Sequence, residues 1–198
     1  MDLRKPGVID TTQYNKLPPL SENYFTSANK YGNRRFRITL LTDTMKRTIN
    51  LIVIHCTASL CTSILTAQAL DDEHRRRGFN GCGYHFYITQ DGQVHPMRDT
   101  ILIGAHAKGY NAHSIGIAYE GGLNPEGKPA DTRTPQQRQA LIALLRHLLY
   151  TYPGAHICGH RDLSPDLNGN GTIEPTEYIK ICPCFDAAIE YEDMQVNS

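Results

Sequence analysis

Two histidines and two cysteines have the side chains of a catalytic metal site. His55 and His160 each close a short apolar run, RTINLIVIHC and AHICGH, and Cys182 and Cys184 follow in KICPCFD. Two imidazoles and one thiolate, with a fourth position left to water, are a known ligand set of catalytic zinc. The spacing leaves open which cysteine would bind. It also leaves open a structural role for each residue, because buried cysteine is commonly a small apolar residue.

An oxygen-rich segment, residues 166–177, lies between His160 and the two cysteines. Its sequence DLNGNGTIEPTE matches the loop of an EF-hand, in which side-chain and backbone oxygens bind calcium. The predicted calcium ligands are Asp166, Asn168, Asn170, Thr172 (through its backbone carbonyl) and Glu177. Asparagine at the third and fifth positions removes two negative charges, which predicts weak binding. The alternative is a pair of Asn-Gly turns followed by a helix cap, and the sequence leaves both open.

A sheet must position these side chains, and the apolar pattern predicts one. The run RTINLIVIHC is rich in β-branched residues and continuously apolar, which is typical of a buried central strand. SIGIAYEGG and AHICGH predict two more short strands, and YHFYIT with QDGQVHPM predicts a hairpin around Asp91 and Gly92. His55 and His160 both fall at predicted strand ends, where open α/β sheets place their sites.

Two helices are predicted to cover this sheet. In TPQQRQALIALLRHLLYTYP, Thr134 is the predicted N-cap, Pro135 fits the first turn and Gln137 completes a capping box. An apolar stripe at helical spacing follows, formed by Leu141, Leu144, Leu145 and Leu148. SILTAQALDDEHRRRGF predicts a second helix that ends at Gly78. Strands alternating with helices predict an α/β fold.

The 198 residues are expected to form one domain, residues 45–198, with an extension. Residues 1–44 are polar and show no long period, so they are predicted to be a partly irregular N-terminal extension with one candidate strand at 34–42. Twenty basic residues balance twenty acidic ones, so no bulk charge favours nucleic acid or an anionic membrane. No apolar run reaches the ~20 residues that span a bilayer.

The N-terminal residues MDLRKPGVIDTTQYNKLPPL lack the apolar core of a secretory signal, which predicts a protein that is cytoplasmic as synthesised. The six cysteines are scattered along the chain and do not resemble the framework of a small disulfide-rich domain. Free thiols and metal ligation are therefore expected, although an even number would also permit three disulfides in an oxidising compartment.

Four separated motifs carry a family resemblance. IVIHCTAS, GYHFYITQDGQVHPMRD, GAHAKGYNAHSIGIAYEGG and KICPCFD occur in this order. Together they resemble the zinc-dependent N-acetylmuramoyl-L-alanine amidases of the phage-lysozyme and peptidoglycan-recognition type, over about residues 47–188. The resemblance implies a central mixed β-sheet with helices on both faces, in agreement with the α/β pattern above.

The resemblance also implies the metal ligands. In the family these are a histidine after the first strand, a second histidine late in the chain, and the cysteine of a Lys-x-Cys-Pro motif. They match His55, His160 and Cys182, so the resemblance favours Cys182 over Cys184. In the phage enzymes the second histidine and the cysteine are much closer in sequence, so residues 166–177 are predicted to be an insert between two ligands.

Further residues are implied to act on the substrate. Tyr84 in GYHF and Lys180, two residues before the ligand cysteine, match the two catalytic helpers of the family. His106 and Asn111 in HAKGYN match a segment that borders the substrate groove of relatives. Because successive strand residues face opposite sides, His85 is expected to face away from the groove that Tyr84 faces.

The same alternation predicts that Cys56, which follows His55, points into packing and away from the metal. The function implied is hydrolysis of the amide between N-acetylmuramic acid and L-alanine of peptidoglycan by a zinc-activated water, in a phage or prophage lysin or a wall-recycling enzyme. Such a protein acts on the cell wall. The alternatives are a non-catalytic peptidoglycan-binding module and a regulator that binds a protein partner.

Overall fold

The computed structural model describes residues 47–196 of the chain. The predicted N-terminal extension, residues 1–44, and the candidate strand at 34–42 lie outside the described residues. None of the helices in the described part is long and apolar enough to cross a membrane.

Five strands form one mixed sheet and two short strands form a second. In chain order the strands are β1 (Leu51–Cys56), β2 (Ser59–Leu60), β3 (Phe86–Ile88), β4 (Val94–Pro96), β5 (Ser114–Tyr119), β6 (Gly122–Leu123) and β7 (His156–Gly159). The large sheet has the order β4-β3-β5-β1-β7, and β2 pairs with β6. Only β4 runs antiparallel to its neighbour in the large sheet, so the predicted mixed sheet is confirmed.

The central strand β1 forms because its side chains are buried on both faces. Ile52, Val53 and Ile54 are completely buried between β5 and β7. The strand was predicted to begin near Arg47 and begins at Leu51 instead. The guanidinium of Arg47 donates to the backbone carbonyls of Thr100 and Asn111, at 2.7 Å and 3.0 Å, which ties the residues before β1 to neighbouring loops.

Helices cover both faces of the large sheet, as predicted. They are α1 (Ala67–Arg76), α2 (Pro135–Thr151), α3 (Ala187–Glu190) and α4 (Glu192–Val196). The leucine stripe of α2 packs with Ile52 and Ile54 on one face. On the opposite face, Leu70 of α1 packs with Tyr87 and Ala118. His55 alternates with Ile54, so it faces the α1 side of the sheet.

The starts of both long helices follow from their caps. Thr134 accepts from the backbone N–H of Gln137, whose side chain accepts from the N–H of Thr134, so the predicted capping box is confirmed. The predicted start of α1 is too early, because Ile64 is 87% exposed and precedes the helix. Thr66 is the N-cap there, since its hydroxyl accepts from the N–H of Ala69 at 3.1 Å.

Candidate metal centre

Parallel pairing brings two histidines to the same edge of the sheet. Ile54 of β1 lies beside Gly159 of β7, so His55 and His160 are the next residues of two adjacent strands that run in the same direction. Their ring centroids are 4.6 Å apart. His55 is buried and His160 is partly buried. The predicted location at two strand ends is therefore what the register produces.

Cys182 reaches these histidines from a loop. Its Sγ lies 3.8 Å from Nδ1 of His55 and accepts from the backbone N–H of Cys56 at 3.3 Å. One donor atom from each of His55, His160 and Cys182 lies within 4.8 Å of the others. In a tetrahedral zinc site a nitrogen and a sulfur ligand are about 3.6 Å apart. The three side chains therefore fit a metal ion of this size and preference.

Cys184 points away from this cluster. Its Sγ donates to the carbonyl of Gly122 at 3.3 Å and lies 3.8 Å from Sγ of Cys56. Cys56 belongs to the apolar core on the α2 side of the sheet, as alternation predicted. Cys184 has a positive φ of 70°, which is uncommon for a residue with a side chain. The two thiols of KICPCFD thus face different neighbours.

The loop that carries Cys182 packs tightly against the sheet. Tyr119 of β5 donates its hydroxyl to the carbonyl of Pro183 at 2.7 Å. A Cβ on Gly159 would lie 2.5 Å from Cδ of Pro183, so glycine is needed for the close approach. The backbone N–H of Arg161, one residue after His160, donates to the carbonyl of Cys182 at 2.8 Å.

A buried arginine fixes the end of the same loop. The guanidinium of Arg133 lies over the ring of Phe185, 3.2 Å from the centroid. It also pairs with Asp131 at 2.8 Å and with Glu190 of α3 at 2.7 Å. Its side chain is fully buried, so both carboxylates serve to neutralise a charge removed from water.

The two histidines of the candidate centre are held neutral. Burial and, to a smaller extent, the charge of Lys180 lower the pKa of His160 to about 4. The pKa of His55 is also lowered, first by burial and then by His106, His160 and Lys180. Neutral imidazoles keep a nitrogen lone pair, which is what a metal ligand needs. Lys180 itself is exposed.

Tyr84 lies beside the same cluster. Its ring centroid is 5.1 Å from that of His55 and 5.3 Å from that of His74 in α1. Burial raises the pKa of its phenol, so the hydroxyl stays protonated at neutral pH. Both ring nitrogens of His85 have partners in neighbouring backbone: Nδ1 accepts from the N–H of Gly116 at 2.9 Å, and Nε2 lies 3.0 Å from the carbonyl of Leu102. Its ring centroid is 5.7 Å from that of His106, so the expectation that His85 faces away from this side of the sheet is wrong.

The segment HAKGYN also borders the cluster. Nδ1 of His106 lies 3.0 Å from Nε2 of His55. The side-chain carbonyl of Asn111 accepts from the backbone N–H groups of His106 and Ala107, both at 2.9 Å. Asn111 thus holds the turn that carries His106. Substrate binding by these two residues stays a prediction.

Two polar residues near the site were not predicted. His74 accepts from the N–H of Gly83 at 2.8 Å, directly before Tyr84. It lies one turn after Leu70 on the buried face of α1, and this position on an apolar face was its only signal. Ser114 is completely buried at the start of β5 and contacts His106. A single serine before an apolar run gives no comparable signal.

Oxygens of the 166–177 segment bind its own backbone. The carboxylate of Asp166 accepts from the N–H groups of Gly169 and Gly171, both at 2.7 Å, and the second of these lowers its pKa. The buried Glu177 accepts from the N–H groups of Leu167 and Glu174 at 2.8 Å and 2.9 Å. These are the contacts of the predicted turns, and calcium binding stays a prediction.

Residues 165–178 are closed at their base by one hydrogen bond. The hydroxyl of Ser164 accepts from the backbone N–H of Ile179 at 3.1 Å, so the two ends of residues 165–178 meet. One short 3-10 turn, His160–Leu163, precedes the segment, and a second, Pro175–Glu177, lies within it. Pro175 begins this second turn.

The chain is similar to a known protein family and to several known proteins. Residues 45–177 match the family described as N-acetylmuramoyl-L-alanine amidase. The chain is 35% identical to the endolysin of Klebsiella phage KP32, over 72% of this chain and 85% of that protein. It is 52% identical to an uncharacterized protein of Haemophilus influenzae, over 48% of this chain and 83% of that protein.

A solved structure is similar throughout the same region. The N-acetylmuramoyl-L-alanine amidase LysCS, an endolysin from Clostridium intestinale, superposes with a TM-score of 0.57 at 33% sequence identity. The match covers 76% of this chain and 84% of that one. The family match itself ends at residue 177, before Lys180 and Cys182.

Proposed function

Since the chain belongs to the N-acetylmuramoyl-L-alanine amidase family, we propose that it hydrolyses the amide bond between N-acetylmuramic acid and L-alanine in peptidoglycan. One observation supports this activity most directly: His55, His160 and Cys182 present their donor atoms within 4.8 Å of one another. Half-exposed Cys182 and exposed Lys180 leave the centre open to a polymeric substrate on one side. Such a substrate belongs to the cell wall.

Zinc is the metal that we propose for this centre. Two neutral imidazoles and one thiolate match the preference of zinc for nitrogen and sulfur, whereas calcium and magnesium prefer oxygen ligands. Zinc bound here would supply a water of pKa about 7 and a Lewis acid for a carbonyl oxygen. The low pKa values of His55 and His160 mean that metal binding need not displace a proton from either ring near pH 7.

Lys180 and Tyr84 are proposed to act on the reacting carbonyl. The charge of Lys180 is felt by both ligand histidines, so it lies close to the centre where an oxyanion would develop. The phenol of Tyr84 is a proton-bearing donor beside His55. Two donors of this kind stabilise negative charge on the scissile oxygen more than they stabilise the neutral amide, which is the condition for catalysis.

The test is the chemistry of the products. Purified peptidoglycan is digested with zinc-loaded protein, and the soluble fragments are identified by mass spectrometry. Release of stem peptides with free L-alanine amino termini is expected, with loss of activity in chelator and recovery on adding zinc. New reducing sugar ends would instead indicate a glycosidase, and binding without any release would indicate a non-catalytic binding module.

Two cysteine variants form a matched pair for the same assay. Cys182→Ser is expected to lose zinc and cleavage, because serine is a poor zinc ligand at neutral pH. Cys184→Ser makes the same change two residues later, where the thiol faces Gly122, and is expected to keep both. Equal loss in the two variants, with both proteins folded, would contradict the ligand assignment.

Lys180→Met and Tyr84→Phe address the catalytic roles. Each variant is expected to keep stoichiometric zinc and to lower kcat by about 10²–10³, the range found when one stabilising donor is removed from a transition state. Zinc content is measured by atomic emission on the same samples. A variant that cleaves at the rate of the unaltered protein would remove that residue from the mechanism.

A further inference from the structure

Four groups form a hydrogen-bonded chain that leads away from the metal centre. Nε2 of His55 lies 3.0 Å from Nδ1 of His106. Nε2 of His106 lies 3.3 Å from Oγ of Ser114, and the hydroxyl of Ser114 lies 2.8 Å from the backbone carbonyl of Tyr110. The chain therefore joins a metal-facing imidazole to a main-chain oxygen through two intermediate side chains.

The backbone carbonyl of Tyr110, the last of the four groups, determines which partner donates in each hydrogen bond. A backbone carbonyl can only accept, so the hydroxyl of Ser114 donates its proton to Tyr110. Oγ of Ser114 is then an acceptor for the N–H at Nε2 of His106. A neutral imidazole that carries its proton on Nε2 has a lone pair on Nδ1, and this lone pair accepts from the N–H at Nε2 of His55.

The same order of donors and acceptors fixes which nitrogen of His55 carries the proton. With its proton on Nε2, His55 has its lone pair on Nδ1, and Nδ1 is the atom that lies 3.8 Å from Sγ of Cys182. We propose that His106 and Ser114 are positioning residues that select this tautomer of His55 and orient its ring toward the metal. The inference deepens the proposed function and rests on it, since the metal is the one proposed there.

This hydrogen-bonded chain differs from the usual surroundings of a histidine that binds a metal. A histidine that binds a metal generally donates its other N–H to a carboxylate, a backbone carbonyl or water, which fixes the ring and raises its basicity as a ligand. Here the immediate acceptor is a neutral imidazole. An imidazole can serve only if its own proton is held on the far nitrogen, which is the task of Ser114.

The sequence leaves the ring of His106 little freedom. A Cβ on Gly116 would lie 2.5 Å from Cγ of His106, and a Cβ on Gly104 would lie 2.6 Å from its Cδ2. Two glycines thus provide the space in which this ring fits. Asn111 holds the backbone of the same residue through two N–H groups. Both ring nitrogens of His106 have protein partners, so the inferred role differs from substrate binding.

The first test reads the tautomers directly and needs neither metal nor substrate. Long-range ¹H–¹⁵N correlation spectra of the metal-free protein at neutral pH distinguish a protonated from an unprotonated ring nitrogen. We expect the Nε2–H form for both His55 and His106. Predominance of the Nδ1–H form at His55 would overturn the inference, whatever the activity of the protein.

The second test measures zinc affinity by competition with a chromophoric chelator. His106→Leu removes the acceptor at similar volume and is expected to weaken zinc binding about 10–100-fold, the usual effect of losing such a partner. His106→Asn keeps an acceptor oxygen near the position of Nδ1 and is expected to stay within about threefold of the unaltered protein. Ser114→Ala is expected to fall between them, because His106 is then free to change its tautomer.

The spectrum of the cobalt-substituted protein provides a readout that a loss of stability alone would not change. Its visible bands are expected to shift in His106→Leu and to be retained in His106→Asn. Zinc binding and cobalt spectra of folded His106→Leu that equal those of the unaltered protein would overturn the inference. If the unaltered protein binds zinc but releases no stem peptide, the proposed function fails, and the tautomer and affinity results still decide the inference.

Discussion

His55 and His160 lie on the paired ends of adjacent parallel strands, whereas Cys182 lies on a loop that side chains tie to the sheet. The strand half of the site is fixed by backbone register, which most substitutions leave intact. The loop half depends on a few contacts: Tyr119 and Arg133 hold Pro183 and Phe185 by their side chains, and the carbonyl of Cys182 accepts one backbone bond. The comparison predicts that a substitution in the loop can displace Cys182 without unfolding the sheet, while His55 and His160 stay together as long as the sheet exists.

The largest expected effect is on stability, from a substitution of Arg133, which holds the loop half. Arg133→Met should lower the free energy of unfolding by about 3 kcal/mol, because it leaves Asp131 and Glu190 without the buried charge that they neutralise. Urea unfolding curves measure this change. Arg138 pairs with the same carboxylates but is partly exposed, so Arg138→Met should cost less than about 1 kcal/mol. Equal effects in the two variants would mean that the buried pair does not anchor the loop.

The next prediction concerns a buried histidine beside the sheet, directly before β3, and its response to acid. Burial lowers the pKa of His85 from 6.5 to about 4. The unfolded chain binds a proton at His85 below pH 6.5 and the folded protein does not, so stability is present above pH 6.5 and is lost as the pH falls to 4. The loss from this residue should approach about 3 kcal/mol, at about 1.36 kcal/mol for each pKa unit.

Denaturation of the metal-free protein between pH 4 and pH 7 measures this dependence. His85→Asn keeps an acceptor for the N–H of Gly116 but does not titrate, so its stability should fall less steeply with acid. The other histidines titrate in both proteins, and the difference between the two curves isolates His85. Parallel curves would show that protonation of His85 is not resisted by the fold.

A third pair of variants sharpens the comparison with one change at two places. Tyr119 and Tyr87 are both fully buried on the sheet, and each hydroxyl donates to a backbone carbonyl at 2.7 Å. Replacing either by phenylalanine should cost about 1 kcal/mol of stability. Only Tyr119 bonds to the ligand loop, through Pro183, so only Tyr119→Phe should weaken zinc binding as well. Equal zinc affinities would show that this bond does not position Cys182.

The smallest expected effect tests calcium at residues 166–177. Calcium at ten times its dissociation constant would add about 1.4 kcal/mol to the free energy of unfolding of the zinc-free protein. The melting temperature would then rise by on the order of 4 °C. Asp166→Asn removes one predicted ligand charge and should reduce the shift. No change at millimolar calcium would leave the segment as a set of hydrogen-bonded turns.

The main elements of the fold could be predicted because their residues repeat a local pattern. Continuous β-branched residues marked β1, and the capping box with its leucine stripe marked α2. The short strands β2 and β6 were missed, since two residues carry no period. The predicted starts of β1 and α1 were both too early, and side-chain bonds that apolar patterning does not report lie before each element. Arg47 binds a neighbouring loop before β1, and Thr66 caps the start of α1.

The candidate site was predictable only in part. Two strand ends placed His55 and His160 correctly, but spacing could not choose between Cys182 and Cys184, and the family resemblance made that choice. The contact between His55 and His106 spans 51 residues. Arg133 and Glu190 are 57 residues apart. Pairings of this kind depend on how the chain returns to itself, which a single sequence does not encode as a local signal.

The bond between Ser164 and Ile179 closes the insert at its base, outside the bonds that hold the two ligand segments. His160 is fixed before that closure by β7, and Cys182 is fixed after it by the sheet. Residues 165–178 are therefore expected to tolerate changes of length and composition, or replacement by design, while His160 and Cys182 keep their positions. A foreign loop grafted at this point would stand beside the candidate metal centre without forming part of it.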